Sequence, residues 1–249
     1  MRQSAGRALL ATLLMGAGCL AVQGARADFT GTLELLPPGC EATGECRLGQ
    51  DFGFVDAAGI GWQAAKGLIT DGASIPSWAK PFIGQSFEPA FIRAAVIHDH
   101  YCVRHVRPWR QTHKVFHEAL LKSGVSPVQA GVMYYAVLVG GPKWAKLIKG
   151  KPCPVGADCV KRLDVTALVR GGSVNVTPES GLIIQRPAEF GSARFQKRMD
   201  DGVPQLLAAG NALNAAQVEE LAKKAMAEDF YFQNGDEIGT SLSIKLEEQ

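Results

Sequence analysis

Outside one stretch of twenty residues, this chain of 249 has no histidine. All five lie between His98 and His117, which excludes imidazole chemistry elsewhere. The chain also lacks internal repeats and low-complexity tracts, so solenoid and collagen-like architectures are set aside. A surplus of charge is missing too. With 26 basic and 24 acidic residues the formal charge is +2, and even that small excess belongs to the first residues. Arg2 and Arg7, the apolar run Ala8 to Val22 and the small-x-small triplet Ala25-Arg26-Ala27 read as a secretory signal peptide over residues 1–27. The run is too short and glycine-interrupted for a transmembrane helix. Its removal takes away three arginines and no acid, leaving a mature chain from Asp28 with a formal charge of −1. No basic excess remains to attract nucleic acid, and the expected location is periplasmic or secreted.

Export into an oxidising compartment changes the reading of the five cysteines that remain. Cys40 with Cys46, and Cys153 with Cys159, are each spaced to close a short local loop, although four cysteines permit three pairings. Cys102 is left over. It reads as a thiol packed like a small hydrophobe rather than as a nucleophile.

Phe29 to Leu36 alternates like a strand, and Asp51–Val55 with Ile60–Ala65 reads as a hairpin. A Gly- and Pro-punctuated loop follows from Asp71 to Pro76. Pro89 suits the first turn of a helix reaching about Val106, on which His98, Cys102 and His105 share a face. A second helix spans about Arg110 to Lys122, with His113, Phe116, His117 and Leu120 inward and Lys114 pairing Glu118 outward. Ser126 and Pro127 start a third, apolar helix through about Val139. Beyond it Lys143, Lys146, Lys149 and Lys151 form a basic, solvated face. Leu163 to Arg186 reads as two or three strands, and Asn214 caps an amphipathic helix. His100 and His105 are expected to be partly exposed helix residues, and Trp78 and Trp109 core or rim aromatics. The fold class is therefore α+β: a small antiparallel sheet packed with a three-helix layer over residues 28–150, and a mixed C-terminal extension over 151–249. That extension shows nothing catalytic.

The residues Thr70-Asp71-Gly72-Ala73-Ser74-Ile75-Pro76, then Ala94-Ala95 with His98-Asp99, then Arg110, His113 and Phe116, resemble the phage- and bacteria-associated domain of unknown function 1353. The resemblance runs from about Phe29 to Trp144 and implies no particular activity. That family has Asp where this chain has His113. A more distant likeness is to secreted phospholipase A2, in which a histidine on a helix activates water, the next aspartate holds calcium and a second helix orients the imidazole with an aspartate. His98, Asp99 and His113 would take those catalytic places. Here Tyr101 lies three residues after the histidine rather than four, no Gly-rich calcium loop precedes it, and His113 supplies no anion. Losing the orienting anion costs on the order of ten-thousand-fold in a serine-protease triad.

Three imidazoles and a carboxylate suit zinc better than calcium. The candidate ligands are His98, Asp99, His113 and His117, with Asp71 from the loop, and a bound ion would make hydroxide at neutral pH. The expectation is an exported hydrolase of cell-envelope material, lipid ester or peptidoglycan. The alternatives are a non-catalytic metal-binding or structural module, and an envelope interaction protein whose partner is read by the C-terminal extension. This last reading expects the core to fold without the residues after Cys159.

Overall fold

A computed structural model describes residues 27–72, 87–149, 173–177 and 181–240. The Ala73 to Pro76 part of the central loop, Trp78 and the expected Cys153–Cys159 bond lie outside the described residues. The N-terminal part builds two small antiparallel sheets rather than one. In the first, β1 (Asp28–Thr30), β4 (Phe52–Val55) and β5 (Gly61–Ala64) lie in the order β1-β4-β5; in the second, β2 (Leu35–Leu36), β3 (Cys46–Leu48) and β6 (Ile69–Thr70) lie in the order β2-β3-β6. The strand read from Phe29 to Leu36 is thus split, with a bend at Gly31 (φ 79°) sending its two halves to different sheets. The hairpin is present, with Phe54 facing Trp62 across it. Asp56 holds its turn by accepting from the Ala58 and Ile60 N–H groups and from Trp62 Nε1. The Cys40–Cys46 disulfide is formed.

Three helices carry the centre: α1 (Pro89–Arg104), α2 (Trp109–Lys122) and α3 (Pro127–Gly140). Pro89 and Pro127 open α1 and α3, where a missing N–H leaves no bond unmade. α1 packs on α2 and on β5, and α2 packs on α3. As its composition requires, α3 is buried nearly all round. α1 stops at Arg104, two residues before the expected end, because His105 turns into the left-handed region at φ 55°. Lys114 and Glu118 do not pair. Glu118 Oε2 accepts from the Ala57 N–H at 2.8 Å, tying α2 to the hairpin turn, while Lys114 approaches Glu219 at 4.0 Å.

The C-terminal region holds a strand that the basic composition concealed. β7 (Lys143–Lys149) sits between β9 (Gly181–Arg186) and β10 (Glu237–Thr240), and β8 (Ser173–Thr177) completes a mixed sheet in the order β10-β7-β9-β8. Lys143, expected on a solvated face, is 1% exposed. Helices α4 (Ala193–Ala209) and α5 (Ala215–Ala225) cover α3, and α6 (Phe230–Asn234) lies on β7. Asn214 caps α5 through a reciprocal pair of bonds with Gln217. One apolar core runs from Leu48 through α1, α2 and α3 to Ile184, Phe195, Val218 and Ile238. Ile184, Phe195, Val218 and Ile238, all after Cys159, belong to that core, so the described part of the extension packs against residues 28–150.

Candidate functional site

The site lies where α1 and α2 face one another below β6. His98 and His113 are both buried and are brought together, with His98 Nε2 2.8 Å from His113 Nδ1. His113 Nε2 donates to the Pro142 carbonyl at 3.0 Å, which fixes a hydrogen on that nitrogen because a carbonyl only accepts. On the far side of His98, Nδ1 faces Asp99 Oδ1 at 3.6 Å. The other Asp99 oxygen accepts from Thr70 Oγ1 at 2.9 Å, and Thr70 Oγ1 accepts from the Gly72 N–H at 3.1 Å. Each imidazole therefore turns one nitrogen toward an acceptor and the other toward its neighbour.

Cys102 completes the group. One turn after His98 on α1, its Sγ lies 3.4 Å from His98 Nε2 and 3.8 Å from Nδ1. One ligand atom each from His98, Cys102 and His113 lie within 4.8 Å of one another. The expected partner His117 is elsewhere: its ring stacks on Tyr134 at 4.9 Å, and its Nδ1 is buried without a hydrogen-bond partner among the described residues. Asp99 stands beside His98, but no oxygen of it falls within the three-residue group, and Asp71 lies on the rim of the adjoining cavity. The spacing of His98 and Cys102 was legible as one helix face. What placed the thiol in the site was the approach of α2, which a single sequence does not reveal.

Burial dominates the electrostatics. It pushes the Cys102 thiol well above its usual range, with Asp99 adding to the effect. Burial also holds His113 well below the imidazole range, reinforced by His98 and Lys143, so its lone pair stays available. Asp99 is raised by burial against the opposing hydrogen bonds of His98 and Thr70. His117 is lowered to about 4 by burial and then by Lys114.

A cavity of about 410 Å³ opens at the Cys102 side of the group. Asp71, Asp99, Cys102 and His105 give it polar edges; Ile69, Val103 and Pro142 are apolar walls, and Gln185 to Ala188 close the far side. The C-terminal region thus contributes a wall to the site, although nothing in its sequence marked it. His100, expected to be partly exposed, is 5% exposed and meets the Arg104 guanidinium at 3.1 Å. Trp109 is in the core, as expected.

Residues 46–137 match the family described as "Protein of unknown function (DUF1353)", in agreement with the resemblance read from Thr70 to Phe116. A protein of Sinorhizobium fredii (strain NBRC 101917 / NGR234) named "Uncharacterized protein y4iH" is 46% identical over 133 residues, covering 53% of this chain and 55% of that protein. "Uncharacterized protein y4jT" of the same organism is 32% identical over 216 residues, covering 82% of this chain and 64% of that protein. The chain therefore spans less than two thirds of the length of either relative. No solved structure matches.

Proposed function

We propose, for a chain that over residues 46–137 belongs to the DUF1353 family, a zinc-dependent hydrolytic site with His98 Nε2, Cys102 Sγ and His113 Nδ1 as the metal ligands. The observation that carries this reading is the pair of facing imidazoles whose far nitrogens are each supplied with an acceptor. Metal-bound histidines commonly donate their second N–H to a carboxylate or a carbonyl, which sets the tautomer and raises ligand basicity. Asp99 stands in that place for His98 and the Pro142 carbonyl for His113. In tetrahedral zinc sites the N and S ligand atoms stand roughly 3.3–3.8 Å apart. The 2.8 Å and 3.4 Å separations found here need only a small opening to fit. Three protein ligands leave a fourth position for water, the arrangement of catalytic rather than structural zinc. Cys102 and Asp99 both line the cavity, so that side has room for water and substrate, while Asp99 also faces His98 Nδ1. An imidazole and thiolate set is too soft for calcium, which takes oxygen ligands.

The substrate class we propose is an ester or amide of envelope lipid or peptidoglycan, met in the periplasm or outside the cell. The leader-like residues 1–27 and the Cys40–Cys46 bond support that location. Zinc and cobalt reconstitution of the purified protein tests the metal reading. Wild type should bind the ion stoichiometrically, and the cobalt form should show a thiolate charge-transfer band in the near ultraviolet. Cys102→Ser should lose that band, His113→Ala should lose stoichiometric binding, and His117→Ala should bind normally. A wild type that takes up neither ion refutes the proposal, as does a His113→Ala protein that binds like wild type.

A second reading is favoured by the 2.8 Å His98–His113 bond itself. Buried and hydrogen-bonded, the pair can serve packing alone. On that reading His113→Ala lowers stability and no variant changes metal content.

A further inference from the structure

His105 belongs neither to the proposed ligand set nor to the groups that face the ligands' outer nitrogens. It follows α1 at φ 55° and ψ 23°, donating its own N–H to the Tyr101 carbonyl, in the left-handed position that ends a helix. It is the one non-glycine residue with positive φ among the described residues. Glycine fills such a position without the steric cost that a Cβ brings, about 1 kcal/mol. The ring is fixed by an edge-on contact with Trp144 at 4.8 Å between centroids. Trp144 is itself held, 3% exposed, by an indole N–H bond to the Arg107 carbonyl at 2.8 Å. His105 Nδ1 is shut away from solvent and has no partner among the described residues. The ring nonetheless lines the cavity, three residues from Cys102 and alongside Asp99, which leaves Nε2 as the nitrogen able to meet a bound molecule. The ring nitrogens do not join the compact group of His98, Cys102 and His113.

We propose that His105 is the proton-transfer residue of this site, serving water attack and leaving-group departure on an ester or amide held in the cavity; the inference rests on the zinc reading above. The left-handed turn that ends α1 leaves the imidazole lining the cavity that Cys102 and Asp99 also line, outside the compact ligand group. Water adds to the acyl carbon, the carbon–oxygen or carbon–nitrogen bond breaks, and the proton taken from the water passes through the imidazole to the departing alkoxide or amine. No other reactant is consumed. Burial, which lowers the His105 pKa, keeps the ring in the neutral form that can accept a proton. Strain at functional residues is a recognised pattern, and here it is found with a cavity and a buried nitrogen that has no partner among the described residues.

The test uses zinc-loaded wild type and His105→Gly with p-nitrophenyl acetate, and adds imidazole to the variant. Glycine suits the left-handed backbone, so the variant should fold and melt no lower than wild type, with unchanged zinc content. Its hydrolysis rate should fall about 100-fold or more, the scale of a lost acid–base group. Imidazole should then restore the rate saturably, above the rate of imidazole with the zinc-free variant. An unchanged rate in His105→Gly overturns the proposal, and so does a loss that imidazole does not rescue. A zinc-loaded wild type inert toward the ester overturns it as well while leaving the metal site standing. A wild type that binds no zinc defeats the reading beneath it.

Discussion

Lys143 is the residue whose chemistry departs furthest from its appearance in the sequence. In a row of four lysines it looks like any solvated cation, yet the β7 register turns it into the core. There Nζ donates to the Gly141 carbonyl at 3.2 Å and lies 5.4 Å from the Trp109 ring centroid. Burial, with Arg186 adding to it, lowers its pKa from 10.5 to about 7. The unfolded chain keeps the higher value, so across this window the unfolded state binds more protons, and stability rises with pH from about 7 toward 10.5. Below about pH 7 the cost of the buried charge is fully present. Lys143→Met should therefore raise stability at pH 6 by on the order of 2 kcal/mol and flatten the rise between pH 7 and 9. Urea titrations of both proteins at several pH values check this. Parallel curves would show that Lys143 titrates normally. Cys102 makes the same point for the site: its partners come from the helix packing, and its composition alone suggested only a small hydrophobe.

The helices were legible because caps and prolines mark them, and the exceptions have local causes. α4 is 17 residues long and runs through Gly202-Val203-Pro204, residues that by themselves disfavour a helix interior. Tertiary packing overrides that preference: Gly202 lies where Tyr135 of α3 presses closest, and a Cβ there would collide with the phenol ring. That ring is held by a bond from its hydroxyl to the Arg198 carbonyl at 3.1 Å and cannot swing aside cheaply. Gly202→Ala gains about 1 kcal/mol in helix propensity and loses about 1–3 kcal/mol to overpacking. The net effect should be a lower melting temperature, where an exposed helix glycine would give a higher one. A thermal melt decides between them. At the same scale, α2 shows why two histidines one turn apart need not share an ion. His113 points to α1 and His117 to Tyr134 of α3, because α2 is packed on both sides.

At the scale of the molecule, β10 ties the C-terminal sheet to the helices. β10 runs parallel to β7, the Lys146 N–H donates to the Asp236 carbonyl at 2.8 Å, and the Asp236 carboxylate holds Arg110 of α2 at 2.9 Å. Ending the chain after Asn234 removes the Arg110 ion pair and the buried Ile238. On burial alone this should cost about 2–3 kcal/mol, which for a chain of this size lowers the melting temperature by about 5–10 °C. A truncated protein that melts like the full chain would show the C-terminal strand to be an appendage.

The amino-acid sequence by itself determined the α+β class, the three central helices and the stretch that holds the site. Periodicity, proline placement and the confinement of histidine to residues 98–117 are local properties, readable without knowing what lies across the fold. Only the tertiary structure brought Cys102, and not His117, beside His98 and His113. It also decided that Lys143 is buried, and that Gln185 to Ala188, far along the chain, form a wall of the cavity. Those outcomes depend on which helix face meets which neighbour and on the register of β7. Both are set by long-range packing of one shared core, which leaves no short-range signature in the residues it brings together.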